Sequence, residues 1–145
     1  MKRSEGIMEY RQIKEGSEEL KRLHCQYKQE IGEAAPSNEE ISRLFQAIKD
    51  GEILFYGCYD NGKLMACCSV CRTFSTFNYL PGGVFEDFYI LPAYRRRGIA
   101  RKLVRFAYEE SGISSLTVGC ADCDAEMYKA IGFSVPLGNM LAMDE

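Results

Sequence analysis

No apolar run in this chain approaches the ~20 residues that a membrane-spanning helix needs. The first residues, MKRSEGIMEYRQ, hold no apolar segment of the kind that marks a secretory signal. A cytoplasmic location is therefore expected, with no membrane partner. No internal repeat, low-complexity tract or long linker divides the 145 residues, so one domain spanning 1–145 is expected. The commonest phosphate signatures are missing too. No G-x-x-x-x-G-K-[ST] occurs, which excludes a P-loop, and no G-x-G-x-x-G occurs, which excludes a Rossmann dinucleotide site. Histidine is reduced to a single residue, His24. It falls beside Leu20 and Leu23 on the buried side of a helix, so a packed side chain is expected there. No Ser-His-Asp set is visible.

What is present is a globular composition, 46% hydrophobic and 27% charged. Seven cysteines are an odd number, and without a secretory signal reduced thiols are expected rather than a disulfide framework. Two Cys-x-x-Cys pairs occur, Cys68 with Cys71 and Cys120 with Cys123. The first lies in the apolar run LMACCSVCRTF, which reads as a strand. Residues i and i+3 of a strand point to opposite faces, so these thiols cannot converge on a zinc ion. The second pair lacks the surroundings of a thioredoxin-type redox site. No metal site is expected.

Charge is unevenly spread. Arg95, Arg96, Arg97, Arg101, Lys102 and Arg105 cluster with no acid between positions 92 and 108. Setting those six aside leaves 12 basic against 21 acidic residues, or −9, in the rest of the chain. A generic nucleic-acid binder spreads its basic surface more widely. One positive pocket in an acidic body suits a compact polyanion.

Hydrophobic periodicity orders the elements. A short strand is expected at Met8 to Ile13. Ser17, with Glu18 and Glu19 behind it, caps a helix whose apolar face is Leu20, Leu23, Tyr27 and Ile31, stopped by Gly32. Ser37-Asn38-Glu39-Glu40 is a capping-box pattern ahead of Ile41, Leu44, Phe45 and Ile48. Ile53 to Tyr59 and Leu64 to Phe74 flank Asp60-Asn61-Gly62-Lys63, a hairpin signal. Val84 to Leu91 is a strand ended by Pro92. A helix from about Arg97 to Ser111, a strand at Leu116 to Cys120, a helix at Ala125 to Ile131 and a last strand or hairpin within Ser134 to Met143 follow. Hairpin-joined strands first and a crossover helix later imply a mixed sheet of α/β (α+β) class.

The segment Glu86 to Arg105, EDFYILPAYRRRGIARKLVR, concentrates the chemistry. It runs from a strand through an Arg- and Gly-containing turn into a helix. The first N–H groups of a helix have no partner within it, carry the positive end of its dipole and bind phosphate. Gly98 and Ala100 leave room for a pyrophosphate to approach the backbone, and the arginines add charge-assisted contacts.

Residues Ile90 to Arg101 resemble motif A of the GNAT family of N-acetyltransferases, Q/R-x-x-G-x-G/A after a strand, met here by Arg95, Gly98 and Ala100. Tyr128-Lys129-Ala130-Ile131-Gly132-Phe133 is similar to the Y-x-x-x-G-F of the family's last helix. The element order agrees as well, so the resemblance covers nearly the whole chain. It implies a GNAT-like, centrally splayed mixed sheet of six to seven strands with flanking helices. It implies acetyl-CoA in the wedge between Val84–Leu91 and Leu116–Cys120. The pyrophosphate would sit on the amides of Arg96, Arg97, Gly98, Ile99, Ala100 and Arg101, with Arg95 in the motif and the pantetheine arm paired near Ile90.

Tyr128 matches the tyrosine that in many members protonates the departing CoA thiolate. Glu86-Asp87-Phe88-Tyr89 resembles the strand of polyamine and diamine acetyltransferases, which implies a cationic amine substrate. Glu86 or Asp87 would then take the proton an alkyl ammonium must lose, and strand alternation sends the two to opposite faces. The family's Asn after the fifth strand is absent; Ala121-Asp122-Cys123-Asp124 stands there. Only 12 residues follow Phe133, so a second subunit in a homodimer is one way to complete the acceptor wall. The expected function is N-acetyl transfer from acetyl-CoA to a small amine. A non-catalytic acyl-CoA-binding module and, further off, a nucleic-acid-binding module are the alternatives.

Overall fold

The computed structural model describes residues 8–144; most of the N-terminal stretch read for a secretory signal lies outside them. Five strands form one sheet in the order β1-β2-β3-β4-β5. They are β1 (Met8–Ile13), β2 (Ile53–Asp60), β3 (Lys63–Ser75), β4 (Leu80–Ile90) and β5 (Leu116–Val118). The first four pair antiparallel and β4 pairs with β5 in parallel, so the sheet is mixed as the element order implied. The helices are α1 (Glu18–Glu30), α2 (Asn38–Lys49), α3 (Ile99–Glu110) and α4 (Ala125–Ala130).

Local chemistry accounts for the boundaries. The Ser17 hydroxyl accepts the Leu20 N–H and opens α1; Ser37 and Glu40 form a complete capping box on α2. Asn61 and Gly62 both have positive φ, 49° and 82°, which is what a two-residue hairpin turn between paired Asp60 and Lys63 requires.

Each face of the sheet has its own core. On one side α1 and α2 bring Leu20, Leu23 and Ile48 onto Phe55, Cys67 and Tyr89. On the other, α3 brings Ile99, Leu103 and Ala107 onto Tyr56, Cys68, Val70 and Phe85. Cys68 thus packs under α3, whereas Cys71 meets Glu86 on the opposite face, as alternation along β3 demands. His24 is a buried residue of α1, as its place on the apolar face predicted. Among the described residues no helix is long and apolar enough to cross a membrane.

Two expectations are corrected. The sheet has five strands among the described residues rather than six to seven. The missing strand is the one expected within 134–143, which has no regular structure. Pro136 lacks an N–H for a ladder, Gly138 has φ 98°, and Val135, Leu137, Met140, Leu141 and Met143 are exposed instead of packed. Secondly, α3 begins at Ile99, two residues later than expected, because Gly98 sits in the left-handed region at φ 78° and precedes the first helical residue.

Candidate active site

The β4–β5 ladder is short. Gly83, Val84 and Phe85 pair with Leu116, Thr117 and Val118, and there the pairing stops, although β4 continues to Ile90. The distal half of β4 therefore has an open edge at the middle of the fold. Leu91 donates its N–H to the Met65 carbonyl on the other side (3.0 Å). Because antiparallel ladder bonds alternate, the N–H and C=O of Ile90 point to the open edge. A cleft of about 750 Å³ lies along it. Ile90, Arg95, Arg96, Gly98, Ile99, Ala100 and Arg101 all line this cleft, and so does Tyr128 from α4. Arg97 does not; its guanidinium stacks 5.0 Å from the centre of the Tyr94 ring.

The turn before α3 has the shape of an anion cradle. Arg96 and Gly98 both take left-handed backbone angles, φ 64° and 78°, which bend the chain sharply just ahead of the first amides of α3. For Arg96 that conformation costs about 1–2 kcal/mol. The turn is held from behind: the Tyr94 hydroxyl donates to Asp60 Oδ2 at 2.6 Å, tying the segment to the β2–β3 hairpin. Among the described residues, Arg96, Arg97, Arg101, Lys102 and Arg105 have no carboxylate partner, so their charge is available. Arg95 differs. It donates through Nε to the Ile90 carbonyl (2.9 Å), pairs with Glu30 of α1 (2.7 Å) and lies 5.5 Å from the centre of the Tyr89 ring. Its side chain is engaged in joining α1 to the end of β4. A second groove of about 590 Å³ between α3 and α4 shares Arg101 with the first and adds Lys102, Arg105 and Lys129.

Tyr128 is held by aromatic contacts. Its ring meets Phe85 and Phe133 edge-on, at 6.5 and 6.0 Å between centroids. Gly132, at φ 125°, turns the chain so that the Phe133 N–H reaches the Tyr128 carbonyl at 3.0 Å. That is the physical content of the Y-x-x-x-G-F pattern. Burial first, and then the nearby Asp124 carboxylate, raises the Tyr128 pKa, so its hydroxyl keeps its proton at neutral pH.

Glu86 and Asp87 lie outside the cleft lining, and the alternation expected of them fails. Cys68 pairs with Phe88 and Val70 with Phe85, so Ser69 alone stands opposite both acids. This β-bulge puts the two on the same face. Asp87 accepts from the Ser69 hydroxyl at 2.6 Å and Glu86 contacts the Cys71 thiol at 2.7 Å, both on the α1 side. Both also act on Tyr27, a cleft-lining residue of α1 whose pKa is pushed to about 12 by burial first and then by Asp87, Tyr128, Glu33 and Glu86. Burial lowers the pKa of His24 against the opposing pull of Asp87, leaving a neutral imidazole. Sequence reasoning missed Tyr27, Glu30 and Met127 as cleft residues. Tyr27 was visible only as part of the apolar stripe of α1, and no local pattern told which stripe residue would reach the open edge. No group of three or more His, Cys, Asp or Glu side chains suited to a metal occurs among the described residues.

Comparison with known proteins shows the family and the fold. Residues 51–135 match the family model of an acetyltransferase (GNAT) domain. Among solved structures, an aminoglycoside acetyltransferase from an uncultured soil metagenomic sample, in complex with sisomicin, superposes with a TM-score of 0.76 at 13% identity, covering 95% of each chain. Glucosamine-6-phosphate N-acetyltransferase from Arabidopsis thaliana gives 0.71 at 18% identity over 96% of this chain and 99% of that one. Ribosomal-protein-alanine N-acetyltransferase from Brucella melitensis gives 0.72 at 16%, over 95% and 99%. No curated protein matches the chain by sequence. With the motif-A turn, the open β4 edge and a family match over more than half its length, the chain belongs to the GNAT acetyltransferase family.

Proposed function

We propose that this acetyltransferase moves the acetyl group of acetyl-CoA to a primary amine of a small cationic substrate by direct attack, with residues 1–145 acting as one catalytic domain. The observation that carries the reading is the line formed by three features. The amide cradle of Arg96 to Arg101 lies at one end, the β4 edge at Ile90, whose carbonyl takes Arg95 Nε, borders the same cleft, and Tyr128 faces that cleft while Glu86 and Asp87 lie outside its lining. The cradle suits a pyrophosphate, since the N–H groups of Ile99, Ala100 and Arg101 begin a 12-residue helix and a Cβ at Gly98 would meet no protein atom within 4 Å. The cations of the second groove suit the 3′-phosphate of the same ligand.

Acetyl-CoA supplies a thioester that a free amine attacks, leaving a thiolate. The acceptor arrives as an ammonium with an ordinary pKa near ~10, so a proton must leave first. Glu86 or Asp87 accepts it, directly or through one water. Tyr128, kept protonated by burial, returns a proton to the departing sulfur. Two carboxylates on one face, near enough to Tyr27 to raise its pKa, favour a cationic acceptor through charge and ring-face attraction.

The test is a mass-detected screen of acetyl-CoA with spermidine, tobramycin, lysine and glucosamine 6-phosphate. Acetylation of spermidine or tobramycin ahead of the phosphorylated sugar is expected. Preference for the phosphorylated sugar would overturn the cationic acceptor. Silence across the panel, with CoA still binding, would replace transfer by the acyl-CoA-binding reading.

A further inference from the structure

The two acids of β4 differ in how they are held, and β3 makes the difference. Between Leu64 and Val70 every β3 residue is buried, and Ser69 is the one polar side chain among them, at 0% exposure. Its hydroxyl has one proton to give and lone pairs to receive. The proton goes to Asp87 Oδ2 at 2.6 Å; a lone pair takes the backbone N–H of Asp87 at 2.9 Å. Both bonds of a fully buried hydroxyl thus go to a single residue, closing a ring around the side chain and backbone of Asp87 at the bulge. Asp87 Oδ1 takes no hydrogen bond among the described residues, and it is not one of the buried oxygens lacking a partner. It is the end of the carboxylate open to a ligand. Glu86 is exposed and held only by the thiol of Cys71, a weak donor.

We propose that Ser69 is a positioning residue for acetyl transfer. It clamps Asp87 through the bulge so that Oδ1 meets the acceptor amine at a fixed distance and angle, which makes Asp87 rather than Glu86 the proton acceptor. The inference rests on the amine-transfer reading above. A carboxylate held by a short bond from a hydroxyl that is itself fixed to the same residue's backbone spends less freedom in reaching the amine than one on a swinging side chain.

The experiment compares wild type, Ser69→Ala, Ser69→Thr, Asp87→Asn and the Ser69→Ala/Asp87→Asn double variant, with acetyl-CoA and the preferred amine of the panel. Ser69→Ala is expected to lower kcat about tenfold to a hundredfold while leaving KM for acetyl-CoA within about twofold. Ser69→Thr, which keeps the hydroxyl, should recover most of the rate. In the Asp87→Asn background Ser69→Ala should add nothing, because a residue acting through Asp87 has nothing left to position. An unchanged kcat in Ser69→Ala, or an equal loss in both backgrounds, overturns the positioning role. If Ser69→Ala does not fold, judged by loss of a cooperative thermal melt, Ser69→Cys replaces it: nearly the same volume with a weak donor, and the same expected loss. Silence of the wild type across the whole amine panel overturns the transfer reading and the role of Ser69 with it. An active wild type beside an unaffected Ser69→Ala overturns the role of Ser69 alone.

Discussion

Gly98 is where a single substitution separates folding from cofactor binding. Its φ of 78° is left-handed, so any other residue costs about 1–2 kcal/mol in backbone strain. No steric term adds to this, since an added Cβ meets nothing within 4 Å. Gly98→Ala should lose about that much stability and lower Tm by several degrees. Gly98→Glu carries the same strain, offset by about 0.3–1 kcal/mol because its carboxylate lies at the positive end of α3. The two variants should therefore melt within a few degrees of each other. They should part company when CoA is added. A ligand at one hundred times its Kd stabilises by about 2.7 kcal/mol, and the wild type should gain that shift. Gly98→Ala should keep most of it. Gly98→Glu should lose it, because the new carboxylate occupies the cradle and repels phosphate. Thermal melts with and without millimolar CoA are the assay. A Gly98→Glu variant whose CoA shift equals that of wild type would refute the assignment of this turn to the pyrophosphate.

Other consequences follow from the same geometry. Tyr128→Phe keeps the ring packed between Phe85 and Phe133 but removes the proton, so kcat should fall by about tenfold or more while the CoA melting shift stays; a rate equal to wild type would remove Tyr128 from the mechanism. Alkaline pH should unfold the protein progressively. Tyr10 and Tyr27 are raised from 10.0 to about 12, and Cys67 from 9.0 to about 12, each chiefly by burial. Between those values the folded state holds more protons than the unfolded, so stability present below pH ~9 is lost as pH rises toward ~12. Urea unfolding at pH 8 and pH 10.5 should show a lower midpoint at the higher pH; equal midpoints would contradict the burial of these groups.

Features written in local chemistry were legible in the sequence. Ser17 and Ser37 announced the starts of α1 and α2, and Asn61-Gly62 announced the hairpin. The motif-A turn was readable because a strand, a proline, a left-handed glycine and a helix start are consecutive in the chain. The strand or hairpin expected within 134–143 does not form, since the apolar residues there carry no signal of whether an edge exists for them to join. The bulge at Glu86-Asp87 was invisible because it is a property of the pairing with β3. Alternation along one strand predicts opposite faces, and only the register, with one residue facing two, reverses that.

The division has a physical basis. The chain alone determined where backbone amides are left unpaired and where charge accumulates, since both depend on neighbours in sequence. Tertiary structure decided what those groups face. It ended the β4–β5 ladder after Phe85 and Val118, so that the edge at Ile90 opens into a cleft. It committed Arg95 to Glu30 and the Ile90 carbonyl rather than leaving it free for phosphate. It brought Tyr27 of α1 into the same cleft as Tyr128 of α4, and gave Asp87 the hydroxyl of Ser69, 18 residues away. Each of these is a contact between elements distant in the chain, and periodicity within one element carries no information about its partner.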